Sequence, residues 1–483
     1  MLTAAGGVLG IILAQFAMNA LLDYVPTTLP RVELTAMNGA ALLYAAGLSL
    51  CIGFLIGLLP IRQFSAAIGD ELRWMTWGTS AGRGIRGVRA ALIVAEVALS
   101  FALLIGAGLL TRSLARLNHV DTGFDSHHLL AIGVSLPRPR YDERSRTRSF
   151  LDRVDAELDS ERRVESYSVI SMPPVSGTVS RVPFSRKDRP VTPDLRQFAN
   201  YRFAGPHYFH TMRVPLRAGR DFSLADDERV RAVAVVSEQF ARRYLQDVPP
   251  LGSHLLINDS DGGPRDVEIV GVAGNVKQFG LDSEPDADIY VPLRQVPDEP
   301  NGFLARGFTL VLRSDSDPRA LTAPIKNLLL RAEPDAALTP AAMEDVLIRS
   351  LAVRQFQTAM MSSFAGFATL LAAFGMYGVM SYLTAQRARE IGLRMALGTT
   401  APGVAGLVVK QGLTYTAAGI GAGAALIMAS YRFIESKLYM TPMLDAMTFA
   451  SAITMLLLVS ALASWIPAMR AARIDPVVIL RGE

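Results

Sequence analysis

Few residues in this sequence have the type and spacing to do chemistry. All six histidines, His119, His127, His128, His207, His210 and His254, fall between residues 113 and 355. His207 and His210 stand i, i+3, but no nearby acidic residue or cysteine completes a ligand set, so no metal site is expected. Cys51 is the one cysteine and lies in an apolar run, which excludes an intrachain disulfide and a thiolate cluster. The acidic groups Asp142–Glu143, Asp226–Asp227–Glu228 and Asp259/Asp261 read as solvated turns, not as acid–base pairs. Residues 258–263 have a calcium-loop flavour but lack the distal bidentate Glu, and a β-turn fits them better. No Gly-x-x-x-x-Gly-Lys-Ser/Thr, His-Glu-x-x-His or Gly-x-Ser-x-Gly is present. No catalytic residue and no cofactor is therefore expected.

Two polar features remain. Glu390 and Arg394 are spaced i, i+4, so a helix places them on one face where they can pair. Ile391, Met395 and Leu397 add apolar surface beside them, and Gly398 with Thr399 and Thr400 reads as a helix stop before Pro402. Such a short helix between two apolar runs is either a contact surface for a partner or a basic loop that only fixes topology. The second feature is Glu96, within the first turns of another apolar run and read as the only ionisable residue inside a span. It is either a relay or gating contact, or a shallow carboxylate capped near the interface.

Apolar runs position these residues. Half of the chain is hydrophobic and 19% is charged, which implies membrane spans plus a water-exposed domain. The net charge is only +4, and the arginines gather beside apolar runs, which suits membrane orientation and not nucleic-acid binding. Six spans are expected, near 4–22, 38–60, 90–112, 357–384, 403–430 and 446–466. Gly53 and Gly57, and Gly419 and Gly423, have the small-xxx-small spacing that lets helices pack closely. Residues 61–89 form a linker, with a short surface-lying stretch around 68–77. The positive loops 61–89, 386–402 and 468–483 place both termini in the cytoplasm and the large domain outside.

Between 113 and 355 no run is long enough to span. Short β-like stretches (129–136, 233–236, 267–272, 289–293, 308–312) alternate with helix-like ones (143–159, 237–246, 317–331), which predicts an α+β domain. Segments 181–200 and 294–306, rich in Pro and charge, read as loops, and 341–357 reads as an amphipathic helix rising into the fourth span. The chain also repeats itself. Leu2-Thr-Ala-Ala-Gly6 parallels Tyr415-Thr-Ala-Ala-Gly419, and Leu58-Leu-Pro60 parallels Trp465-Ile-Pro467.

The stretch Arg389-Glu-Ile-Gly-Leu-Arg-Met-Ala-Leu-Gly398 resembles the coupling-helix signature of MacB/FtsX-type ABC transporter permeases. The closing segment, Pro467 to Arg481, resembles the end of the same family. Glu96-Val-Ala-Leu-Ser100, Gly106-Ala-Gly-Leu-Leu110, Arg112-Ser-Leu114 and Gly123-Phe124 resemble the second half of the acidobacterial duplicated orphan permeases. The resemblance implies residues 1–60 as two spans of an upstream FtsX-like module, 61–89 as cytoplasmic linker and 90–112 as a span. It implies 113–356 as a MacB-like periplasmic core domain with its stalk, and 357–483 as an FtsX-like permease domain of three spans with coupling segment 386–400. The chain would then be an N-terminally truncated or split form of a duplicated permease.

The function the resemblance implies is a non-catalytic permease subunit in the plasma (inner) membrane, driven by a cytoplasmic ABC ATPase and working in efflux or envelope mechanotransmission. Arg389, Glu390, Ile391, Gly392, Leu393 and Arg394 would dock that ATPase, and the stalk would carry the motion outward. A dimer with itself or a second permease, contact with membrane lipids, and an envelope partner or cargo on the outer domain are the other partners implied; nucleic acid is not. The alternative is a membrane scaffold or sensor that recruits partners through the same loop without transport.

Overall fold

The computed structural model describes residues 81–483 apart from 138–139, 142–143, 190–196, 259–262, 297–306, 398, 432–438, 443 and 473–483, together with isolated positions between 6 and 54. Two compact units result, one formed by Met1–Asn118 with Ala352–Glu483 and the other by His119–Leu351. Helix α1 (Ala81–Leu117) precedes β1 (Leu129–Ser135), α2 (Arg144–Leu158), β2 (Val164–Ile170), β3 (Arg181–Arg186) and β4 (Gln197–Ala204). The short α3 (Tyr208–Thr211), β5 (Leu216–Gly219), β6 (Val233–Ser237), α4 (Glu238–Tyr244), β7 (His254–Ile257), β8 (Arg265–Ala273) and β9 (Asp288–Pro292) follow. Then come β10 (Gly307–Ser314), α5 (Thr322–Ala332), β11 (Ala337–Ala342), α6 (Met343–Gln386), α7 (Ala388–Ala396), α8 (Ala401–Ala429) and α9 (Ala446–Ala472).

The unit His119–Leu351 is α+β. Strands β11-β1-β10-β2 form an antiparallel sheet, and β4-β3-β7-β8-β6-β9 close into a six-stranded ring through the parallel pair β4–β9. Closure removes the exposed edges that six separate strands would leave. Every strand of the ring sends a side chain into one apolar core, among them Phe184, Tyr201, Val236, Leu255, Ile269 and Ile289. Phe150 of α2 and Ile325 of α5 belong to the same core. Each such burial is worth about 1.5–3 kcal/mol, so the unit holds together without a disulfide. Gly123 lies at φ +79°, and a Cβ there would stand 1.9 Å from the Asn275 carbonyl oxygen, so only glycine fits.

Strands alternate faces, so Asn200 and Arg202 of β4 and Asp288 and Tyr290 of β9 point away from that core. They are nonetheless buried: Tyr290 packs against Tyr208 and Phe209 of α3, and Tyr208 lies within electrostatic reach of Arg202 and Asp288. Arg202 Nε lies 3.4 Å from Asp288 Oδ1, and each side chain is 1% exposed. Burial pushes the Asp288 carboxyl up to about 6 against the opposing pull of Arg202. A folded value above the unfolded one stabilises fully below pH ~4, and that stability is lost as pH rises through about 6. Asp155, raised to about 6 mainly by burial, acts in the same window. Unfolding of this unit, followed by circular dichroism, is therefore expected at higher temperature at pH 5 than at pH 7. Asp155→Asn with Asp288→Asn should flatten the difference.

Two expectations change. Segment 181–200 reads as a loop, yet β3 and β4 occupy its ends and pair with each other. Pro183 is tolerated because the ladder there uses its carbonyl, which accepts from the Asn258 N–H at 3.0 Å. The charges that suggested a loop sit at the strand's ends, where Arg181 meets Asp286 and Arg186 meets Asp188 and Asp247. Second, the amphipathic helix does not begin at 341. Ala341 and Ala342 close β11, which pairs with β1, and α6 starts at Met343. Its first-turn Glu344 and Asp345 favour a helix start and are held by His127 at 2.6 Å and Arg319 at 2.8 Å. A third expectation, six spans, is met as far as the described residues reach: they contain four helices long and apolar enough to cross a membrane, within Gly87–Leu117, Met343–Gln386, Ala401–Ala429 and Ala446–Arg470. The expected runs 4–22 and 38–60 lie almost wholly outside the described residues, as does linker 61–80.

In the helical unit, α1, α6, α8 and α9 share one apolar core that includes Val97, Phe101, Met376, Met380, Ile427 and Leu456. Thr416 of α8 donates its hydroxyl to Ser460 of α9 at 2.6 Å, a hydroxyl pair hidden within this packing.

Candidate functional site

The α6–α7 break falls at Arg387, after which the chain re-forms a helix of nine residues. Glu390 in its first turn and Arg394 in its last suit the helix dipole. They pair at 2.5 Å and both are half exposed. Ile391 is buried against Val404 of α8 with Met395 beside it, and Gly392 also faces inward. Leu393 and Leu397, i and i+4, are exposed at 53% and 80%. The six residues of the expected surface thus divide. Ile391 and Gly392 seat the helix; Glu390, Leu393 and Arg394 are presented outward. The side chain of Arg389 and all of Gly398 lie outside the described residues. Leu397, expected with Ile391 and Met395 as apolar surface beside the pair, is on the exposed face with Leu393, whereas Ile391 and Met395 turn toward Val404.

Around α7 the helix ends are basic. Arg387 donates to Gln411 at 3.3 Å, and Arg470 of α9 donates to the Tyr377 hydroxyl at 2.9 Å. Lys410, inside the stretch Ala401–Ala429, is exposed. Glu96 is therefore not the only ionisable residue within a span. Near an end of its helix, Lys410 can run its alkyl stem along apolar surface and keep the ammonium in water.

Glu96 is placed deeper. Its Oε2 is buried without a hydrogen-bond partner among the described residues, and a Cβ on Gly375 of α6 would lie 2.2 Å from it. α1 and α6 thus cross with the carboxylate pressed on a bare Cα. Gly419 and Gly423 of α8 lie against α1, where a Cβ would stand 2.6 Å from Val97 and 2.7 Å from the Ala98 carbonyl oxygen. Gly53 and Gly57 fall outside the described residues. Gly375 was not singled out by sequence, because a lone glycine in an apolar run carries no sign of its neighbour. His207 stands at the N-cap of α3 and His210 lies within it, where its backbone N–H donates to Asp221 Oδ2 at 3.1 Å; among the described residues no group of three or more His, Cys, Asp or Glu is placed to hold a metal.

The family pattern described as MacB-like periplasmic core domain matches residues 90–342. This chain belongs to that family. The pattern of the FtsX-like permease C-terminal region matches 362–476, which includes α7. The macrolide export ATP-binding/permease protein MacB of Azoarcus sp. (strain BH72) is 25% identical over 276 residues, 56% of this chain and 40% of that protein. The uncharacterized ABC transporter permease YknZ of Bacillus subtilis (strain 168) is 24% identical over 283 residues, 57% of this chain and 68% of that protein. The periplasmic region of MacB from Actinobacillus actinomycetemcomitans, a crystal structure, aligns at 15% identity with a TM-score of 0.33, over 46% of this chain and 92% of that one. The chain thus spans less than half the length of the ATP-binding/permease relative.

At the opposite end of the helices, this MacB-like chain bolts the α8–α9 connection onto α1. Arg112 pairs with Asp445, Arg116 donates to the Met440 carbonyl oxygen, and Ser113 Oγ accepts from the Tyr439 N–H at 3.0 Å. Asp445 also caps α9, accepting from the Thr448 N–H at 2.9 Å and its hydroxyl at 2.5 Å. These Thr448 bonds, with Arg112 behind them, hold its carboxyl below the usual range. Asp445→Ala removes a cap worth about 0.5–2 kcal/mol together with the ion pair. A lower unfolding temperature in detergent is expected, and Asp445→Asn should recover most of the cap.

Proposed function

We propose that this chain is the permease subunit of a MacB-like ABC transporter. A separate cytoplasmic ATPase moves α7, and the motion passes along α6 to the extracytoplasmic domain, for efflux or for mechanical work in the envelope. The observation that carries this reading is α7 itself. It lies between two membrane-length helices, is seated by Ile391 on Val404, and presents Glu390, Leu393, Arg394 and Leu397 outward. An ion pair flanked by exposed leucines suits a protein contact, with an apolar centre and a charged rim. The relative named for macrolide export supports an export role, and the ATP-binding half of its name supports an ATPase partner.

In this reading residues 113–356 form the outer domain and stalk, 357–483 the FtsX-like permease domain, and 1–60 two further spans; of the linker expected at 61–89, residues 81–89 already belong to helix α1, so the link to the third span is 61–80. Both termini are cytoplasmic, and the subunit works as a dimer with itself or a second permease. The test is recovery of the full chain from detergent-solubilised membranes, with mass spectrometry of its companions. An ABC ATPase that copurifies, and is lost with Glu390→Lys and Arg394→Glu, supports the proposal. Recovery with envelope or regulatory proteins but no ATPase supports a scaffold instead.

A further inference from the structure

We propose that the end of the helix bundle beside α7 binds the phosphate of an anionic phospholipid, with the Arg89 guanidinium as its donor fork. Arg89 of α1 lies with its Cζ 3.9 Å from the ring centroid of Tyr382 on α6. The ring is itself fixed, because Gln386 Nε2 donates to the Tyr382 hydroxyl at 2.7 Å. Arg89 makes no hydrogen bond or ion pair with a described residue. Stacking covers the flat face of a guanidinium and leaves its edge, with five N–H donors, free for a planar or tetrahedral oxyanion. A phosphate takes two such donors side by side.

The surroundings point to the same ligand. Arg387, Lys410 and Arg470 lie at this same end, and like Arg89 none of them meets a carboxylate among the described residues. At the other end, by contrast, Arg112 is neutralised by Asp445. Arg116 at that end is spent on the Met440 carbonyl oxygen and the Thr441 hydroxyl, so the cations gathered beside α7 are the ones left for an anion from outside the protein. Arg89 falls just inside the start of the apolar stretch Gly87–Leu117, the depth at which a bilayer holds its phosphates. Exposed Trp465 and Tyr382 mark the same rim with the aromatic residues that favour the headgroup level. A lipid phosphate is held at that depth by its acyl chains, whereas a free phosphate is not, so the lipid is the occupant. The inference does not rest on ATPase docking by α7.

Native mass spectrometry of the full chain in detergent, titrated with phosphatidylglycerol or phosphatidylcholine, tests it. Phosphatidylglycerol is expected to be retained in preference. Arg89→Gln should weaken that retention about tenfold and leave phosphatidylcholine unchanged. Arg89→Lys should keep part of the preference, and Tyr382→Leu should weaken it by a smaller factor, since the charge stays but loses its support. Unfolding temperatures of the variants are compared with the parent, and Arg89→Lys and Tyr382→Leu carry the test if Arg89→Gln does not fold. Equal retention of the two lipids, or wild-type retention by folded Arg89 variants, overturns the proposal. Binding of inorganic phosphate through Arg89, without phosphatidylglycerol preference, also overturns it and leaves a soluble-anion site.

Discussion

A chain carrying Glu390→Lys together with Arg394→Glu is expected to insert and fold, and to lose about tenfold or more of its stimulation of a partner ATPase. The swap keeps opposite charges at i, i+4, so α7 loses only a few tenths of a kcal/mol through the less favourable order. Ile391 and its seat on Val404 are untouched, so the helix stays where it is. What changes is the pattern of charge shown to the partner, and reversed charges at a contact repel where they attracted. Leu393→Asp with Leu397→Asp attacks the same face through its apolar part and should give the same loss. The measurement is ATP turnover of the reconstituted complex with each variant. Ile391→Asp is the useful contrast, because it unseats α7 and should lower stability as well as coupling. Unchanged stimulation in both surface variants would remove α7 as the docking element and with it the main support for the transporter reading.

The parts of this fold that are legible in sequence are those set by neighbours in the chain. β1, β6, β8, β9 and β10 fall on short apolar runs and are read directly. The i, i+4 spacing of Glu390 and Arg394 gives their shared face without any knowledge of tertiary structure. What escapes is set by partners far away. β3 and β4 carry Pro183 and several arginines, and only their pairing with β7 and β9 makes them strands. β5 and β7, of four residues each, are too short to show a period, and β11 is Ala-Leu-Thr-Pro-Ala-Ala, with a proline and few β-formers. In the helices, Gly375 has meaning only through Glu96, and Arg112 only through Asp445, each an encounter between distant segments. The split of 389–394 into a seating face and a presented face follows from α8 lying beneath it, which the family resemblance does not specify.

Arg202 is the clearest residue of this second kind, and its removal carries the largest stability effect expected in the outer domain. Charge in a strand reads as exposure, yet Arg202 and Asp288 are both buried on the face of the ring that α3 covers. Arg202 also donates to the Met172 carbonyl oxygen at 3.3 Å, while its Nη2 and Asp288 Oδ2 have no partner among the described residues. The pair is thus incompletely satisfied, so its attraction does little more than offset the desolvation of two charges. Removing one member is different, because the other stays buried and unmatched. Arg202→Met should destabilise β4 and β9 by about 3–5 kcal/mol at neutral pH, whereas Arg202→Met with Asp288→Leu should lie close to the parent or above it. The difference between the variants should narrow at pH 5, where a carboxyl already raised to about 6 takes up its proton and ceases to be a buried charge. Hydrogen exchange of the β4 and β9 amides in the full chain reads this locally, which avoids treating a two-unit protein as a two-state folder. If the double variant is no more protected than Arg202→Met, the pair is a net stabiliser and the reading of it as a near-balanced polar insertion fails.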